Sequence, residues 1–98
     1  MKITNNTKQH QFEILIDDHK AELVYRLRGN RFYILHTFVP KELGGQGIAS
    51  KLAVTALEYA KENGYKLAVL CPFVAAYVKK HPEWYDFYDR EFHQNIPK

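Results

Sequence analysis

A chain of 98 residues has room for one modest hydrophobic core and not for two. Its 46% apolar and 26% charged residues are ordinary for a soluble globule, and no apolar run approaches the ~20 residues of a membrane-spanning helix. The net charge of +3 suits an anionic small ligand, but the basic residues are scattered, the longest run being Lys79-Lys80, so a nucleic-acid interface is not expected.

The opening residues, Met1 to Thr7, lack the apolar stretch of a secretory signal. A lone cysteine, Cys71, excludes an internal disulfide, so a reducing cytoplasm is the expected compartment. From Gln11 to Ile16, Phe12, Ile14 and Ile16 alternate with Gln11, Glu13 and Leu15, which reads as a strand. Asp17-Asp18-His19-Lys20 is turn-like. A second strand is expected over 21–28, with Leu23, Tyr25 and Leu27 on one face. Gly29-Asn30 is a two-residue hairpin signal. The third run, 31–39, places Phe32, Ile34, His36 and Phe38 on one face and Tyr33, Leu35, Thr37 and Val39 on the other. Both faces are apolar, which predicts a central strand covered on each side and ended by Pro40.

Residues 44–49 then read Gly-Gly-Gln-Gly-Ile-Ala, where the third strand gives way to a helix expected over 46–63. Ile48, Ala49, Leu52, Ala53, Ala56, Leu57 and Ala60 form its apolar stripe, and Asn63-Gly64 stops it. Glycines let a backbone approach a ligand closely, and a helix N-terminus offers unpaired N–H groups with a partial positive charge. Together they fit a phosphate or diphosphate, although a plain turn is also Gly-rich. No Walker sequence follows the glycines, and two βαβ halves of a dinucleotide fold are lacking. Lys66 to Cys71 reads as a buried strand reached by a crossover from the third, hence parallel to it. Pro72 opens a second helix carrying Val74, Ala75, Tyr77 and Val78, and His81-Pro82 closes it. An aromatic segment, 83–92, packs on the core. The order describes an α/β or α+β sheet with helices on it.

Val39-Pro40-Lys41-Glu42-Leu43-Gly44-Gly45-Gln46-Gly47-Ile48-Ala49, followed by the amphipathic helix, resembles the coenzyme A-binding segment of the GNAT superfamily of N-acetyltransferases. That superfamily's loop reads Arg/Gln-x-x-Gly-x-Gly/Ala. Gly47 and Ala49 match its last two positions, and Gly44 stands where Arg or Gln is usual. His36-Thr37-x-Val39-Pro40, together with Cys71-Pro72-Phe73-Val74-Ala75-Ala76-Tyr77 and His81-Pro82-Glu83, is similar to a small GNAT-like subfamily over roughly residues 10–88. The resemblance implies a minimal GNAT fold, with antiparallel N-terminal strands, one added parallel strand and two to three helices. It implies acetyl-coenzyme A as co-substrate and acetyl transfer to a small-molecule or peptide amine, by a monomer or a homodimer. Such members lack the helices between the first strands with which larger relatives hold an acceptor, which leaves a non-catalytic coenzyme A-binding module as the alternative.

The same resemblance assigns coenzyme contacts to Thr37, Phe38, Val39, Gly44, Gly45, Gln46, Gly47, Ile48, Ala49 and Cys71. Cys71 ends an apolar strand and precedes a helix, where a thiol leans toward the reactive thiolate and could carry the acetyl group; a buried apolar cysteine is the plainer use. His36 is either a hydrogen-bonded core residue or, brought beside Cys71, a base for the thiol or the amine. Tyr77 resembles the tyrosine that protonates the departing thiolate in larger relatives; packing is its commoner use. Thr37, pointing away from His36, is expected to be structural. Lys41, Lys51, Lys79 and Lys80 could meet further phosphates. The histidines show no ligand spacing, and no metal is expected.

Overall fold

The computed structural model describes residues 2–97; Met1 and Lys98 lie outside the described residues. One five-stranded sheet carries the molecule: β1 (Thr4–Asn6), β2 (Gln11–Ile16), β3 (His19–Arg28), β4 (Arg31–Phe38) and β5 (Lys66–Val69) lie side by side in chain order. β1 to β4 pair antiparallel, and β5 pairs parallel to β4 because α1 (Ile48–Glu62) returns the chain to the same end of the sheet. α2 (Pro72–Lys80) follows β5, and two short 3₁₀ turns span Lys41–Leu43 and Pro82–Phe87.

The alternation in β2 and β3 buries Phe12, Ile14, Ala21, Leu23 and Tyr25 on one face. α1 lays Ile48, Leu52, Ala53, Ala56, Leu57 and Ala60 against them, all buried. Its three inward alanines bring the helix close to the sheet and leave space beside it for rings. Phe12, Tyr25, Phe32, Tyr59 and Tyr65 fill that space, with the Tyr25–Phe32 centroids 4.8 Å apart. Such offset pairs add ~0.5–1.5 kcal/mol each beyond their buried area.

Beyond single-residue shifts at the ends of β4 and α1, the structure departs from the sequence reading in the following ways. β1 is absent from it, being three polar residues whose only strand signal is the neighbour they pair with, Glu13 to Gln11. The turn before β3 is Asp17-Asp18 alone, both at positive φ, so Ile16 already pairs with His19. α1 starts at Ile48, since Gly47 holds a left-handed φ of 70°. β5 ends at Val69, two residues early, because the N–H groups of Leu70 and Cys71 both converge on the Ile34 carbonyl, at 2.9 and 3.1 Å.

The aromatic C-terminal segment closes the outer edge of β5. After the Pro82–Phe87 turn, Tyr88 makes a single parallel bridge to Leu67, and the Asp89 N–H donates to the Leu67 carbonyl at 2.8 Å. The Val69 N–H donates to Nε2 of His93 at 2.8 Å, so an imidazole stands where another strand would supply a carbonyl. Burial pushes the His93 pKa below its ordinary 6.5, against the opposing pull of Asp89. Burial likewise pushes Tyr88 up to about 12. The segment then crosses to the sheet face away from α1. There Arg31 clamps Asp89 through Nε at 2.8 Å and its second nitrogen at 3.4 Å, and Phe92 meets Tyr33 edge-on. Hydrogen bonding to Arg31 holds the Asp89 carboxyl below its ordinary value.

Candidate functional site

The site begins with one extra residue. Tyr25 pairs with Ile34 and Val24 with His36, so Leu35 has no partner on β3 and forms a bulge. Before the bulge Phe32 and Ile34 face α1; beyond it the alternation inverts. Thr37 pairs with the fully buried Leu23 and therefore falls on the α1 face. His36 pairs with Val24 and Phe38 with Glu22, on the face without helices, and both are exposed. The uninterrupted alternation read from sequence thus fails beyond Ile34: His36 does not share a face with Phe32 and Ile34, and Thr37 does. The expectation that both faces of β4 are covered also holds only for its first half, where Phe92 lies on Tyr33.

Opposite the bulge the sheet splits. Parallel pairing ends at Ile34 with Val69; β4 runs on to Phe38 while the other chain turns away through Leu70 and Cys71 into α2. Among the described residues no strand lies beside the β4 edge facing the split, which leaves its backbone groups free for an extended ligand. Cys71 sits at the base of the split as the residue before α2, 2% exposed. Its Sγ lies 3.4 Å from Oγ1 of Thr37. Among the described residues the thiol's hydrogen-bond partner is therefore Thr37 and not His36.

At the mouth of the split lies the glycine loop. Gly45 and Gly47 hold φ of 78° and 70°, which explains glycine at both places. Nothing stands within 4 Å of where a Cβ would lie on either, so the space above them is open. Gly44 has an extended backbone at φ −66°, and a Cβ there would press on the Lys41 carbonyl at 3.2 Å. Among the described residues no side chain caps α1 and no acidic residue sits in its first turn, so the positive end of the helix is not neutralised. The first intrahelical bond runs from Lys51 N–H to the Gly47 carbonyl at 3.1 Å, leaving the earlier N–H groups for an anion. Of the coenzyme-contact residues, Gly44, Gly45, Gln46 and Gly47 are exposed, Ala49 and Val39 are half-buried, and Ile48 is core. Tyr77 stacks on His81 at 4.2 Å and lines a groove with Ile3, Ser50, Lys51 and Val54.

The family model for GCN5-related N-acetyl-transferase matches residues 11–87. The chain belongs to this family. A GCN5-like candidate N-acetyltransferase from Staphylococcus aureus, solved by NMR, is 32% identical, covers 96% of both chains and superposes with a TM-score of 0.70. Protein NATD1 of Gallus gallus is 33% identical over 85 residues, spanning 84% of this chain and 77% of that protein. NATD1 of Homo sapiens is 32% identical and is covered over 75% of its length.

Family membership brings a general acetyl-transfer function and, in the family at large, acetyl-coenzyme A as donor. The residues here fit that donor on three counts: open space over Gly45 and Gly47, an uncapped helix start, and an unpaired strand edge leading to Cys71. Sequence reading missed the bulge and hence the Thr37–Cys71 pair. No signal in the sequence could have found it, since the residues from Phe32 to Val39 do not mark which face of the strand each takes. Among the described residues no helix is long and apolar enough to cross a membrane.

Proposed function

We propose that the protein transfers an acetyl group from acetyl-coenzyme A to an amine at the split between β4 and β5. The single observation that carries this is the end of parallel pairing at Ile34 and Val69, which leaves the β4 edge beyond Ile34 without a paired strand, beside Cys71. Acetyl-coenzyme A, when bound, supplies an acetyl thioester. The N–H groups of 47–50 hold the diphosphate, and the open edge at 35–38 pairs with the amides of the extended arm. Thr37 and Cys71 meet at the base of the split. An amine arrives protonated, and His36 on the helix-free face takes its proton before attack. The amine nitrogen bonds to the acetyl carbon, the carbon–sulfur bond breaks, and the coenzyme leaves as its thiol. A route through acetyl-Cys71 transfers the group twice with the same overall balance.

A coenzyme-binding module without turnover is the second reading. It is favoured by the Cys71 environment, where a threonine hydroxyl, a poor base, is the thiol's partner. Intact mass after incubation with acetyl-coenzyme A separates these readings. Amine acetylation that survives in Cys71→Ser means direct transfer. One acetyl on the wild type that is missing from Cys71→Ser means transfer through the thiol. Coenzyme binding with neither product means the module.

A further inference from the structure

Basic residues that lie apart in the sequence meet at the far end of the parallel pair from Cys71. Arg28 pairs with Arg31 across the Gly29-Asn30 turn, and Arg31 pairs with Lys66 on β5. Residues directly opposite on neighbouring strands share a face, so the three cations form one row across three strands. The Lys66 N–H donates to the Asn30 carbonyl at 2.8 Å and ties β5 to the hairpin at this point. The row lies on the helix-free face, where the Arg31 guanidinium stands 5.9 Å from the Tyr33 ring centre and 5.6 Å from that of Phe92. Like charges directly opposite one another destabilise a sheet, so each cation here gains from a counter-charge.

Among the described residues only Arg31 has one. Asp89 accepts from its Nε at 2.8 Å and from a second nitrogen at 3.4 Å, and the Tyr33 hydroxyl accepts from the remaining nitrogen at 3.2 Å. The Asp89 carboxylate also accepts from the N–H groups of Glu91 and Phe92, so it is fully engaged. Arg28 and Lys66 are exposed and make no ion pair among the described residues. A cavity of about 410 Å³ joins them, with Asn30, Tyr33 and Glu91 on its wall beside the Arg31–Asp89 pair. The neighbouring hollow across Lys66 adds Asp86 and Arg90, one charge of each sign. The charged side chains of the cavity without a partner are therefore two cations, which only donate, and the single carboxylate of Glu91. Tyr33, already accepting from Arg31, keeps its own hydroxyl hydrogen to give.

We propose that this cavity is a second anion site, for a small phosphomonoester. The planar fork of Arg28 takes two phosphate oxygens, Lys66 supplies a point charge, and the Tyr33 hydroxyl donates to the third oxygen. Arg31 is a positioning residue: its nitrogens are taken by Asp89 and Tyr33, and it holds both in place. A liquid water occupies ~30 Å³, so the cavity has room for a phosphate and for a compact ester body against the Tyr33 ring. Glu91 opposes the anion and limits its affinity. Arg31 lies three residues before Ile34, about 10 Å from where parallel pairing ends. The site shares no residue with the glycine loop or the split, so it does not rest on the acetyl-transfer reading.

The test titrates the full chain with phenyl phosphate, inorganic phosphate and phenyl sulfate at about pH 7.5, where the phosphates are mainly dianions, and follows amide chemical shifts. Phenyl phosphate is expected to shift Arg28, Asn30, Arg31 and Lys66 and to leave Gly45 to Ser50 in place. It should bind several-fold more tightly than inorganic phosphate, through its ring on Tyr33, and several-fold more tightly than phenyl sulfate, which carries one charge fewer. Arg28→Gln and Lys66→Gln should each weaken it by roughly tenfold. Glu91→Gln should strengthen it by about twofold. Melting temperatures of the three variants, all at exposed positions, report whether the fold is kept. No shift in this row at millimolar probe, or shifts at Gly45 to Ser50 in its place, overturns the proposal. Equal affinity for phenyl sulfate, or affinity indifferent to Arg28→Gln and Lys66→Gln, overturns it by reducing the row to a diffuse positive surface. Inorganic phosphate binding as tightly as phenyl phosphate overturns the ester assignment in favour of the free ion.

Discussion

Thr37 reaches the thiol of Cys71 because Leu35 is one residue too many for β3. Replacing Thr37 by valine keeps the shape and deletes the hydrogen bond, for an expected loss of about 0.5–1.5 kcal/mol in urea unfolding. A loss within error would show that the 3.4 Å contact contributes nothing. Gly47 is a position of conformation and not of space. Alanine there meets no atom within 4 Å yet must hold φ near 70°, so Gly47→Ala should lower stability by about 1–2 kcal/mol and weaken coenzyme A binding in calorimetry. Unchanged stability would mean that the loop relaxes to another shape. Residues of this kind divide in how well the sequence announces them. Gly47 is legible because few residues tolerate its φ and because a helical stripe starts after it. Thr37 is not, because a bulge is a property of two strands, and the chain carries no mark of which register its partner adopts.

β5 is short, and its outer edge is held by the C-terminal segment through the Tyr88 bridge, the Asp89–Leu67 bond and the His93–Val69 bond. Arg31→Ala should free this segment and speed hydrogen exchange at Leu67 and Val69 while β2 and β3 keep their protection; uniform exchange across the sheet would contradict the clamp. The imidazole of His93 must be neutral to accept the Val69 N–H. Its folded pKa lies below 6.5, so above that value both states are neutral and no pH slope arises. As pH falls through 6.5 the unfolded chain binds a proton that the folded imidazole refuses, and stability drops until the lower folded value is reached. His93→Gln, whose carbonyl can still accept, should flatten this slope in melts between pH 7.5 and 5.5. An identical slope would place the proton uptake elsewhere. Asp89 acts lower on the scale, its contribution being present above 3.8 and lost as pH falls through its depressed folded value. At this scale β2, β3, β4 and α1 were legible from periodicity. β1 and the His93 edge were not, since three polar residues and a tail histidine gain their roles only from the strands they meet.

The whole molecule is one sheet whose two parallel strands part beyond Ile34 and Val69. α1 covers one face, the C-terminal segment closes the far edge and half of the other face, and the β4–β5 split with the glycine loop beyond it stays open. The glycine loop and the motifs around His36, Cys71 and His81 made the family resemblance readable from sequence, while the Thr37–Cys71 pairing had to come from the register. If coenzyme A fills the split, ligand at about a hundred times its dissociation constant stabilises the fold by about 2.7 kcal/mol, which thermal melting will register. The most direct measurement is an amide chemical-shift titration of the full chain with coenzyme A. Shifts at Gly45, Gly47, Ile48, Ala49 and Ser50, together with Leu35 to Thr37 and Leu70 to Cys71, are the predicted result. A spectrum unchanged at saturating coenzyme, or changed only around Arg28, Asn30 and Lys66 at the opposite end of the parallel pair, would contradict the account.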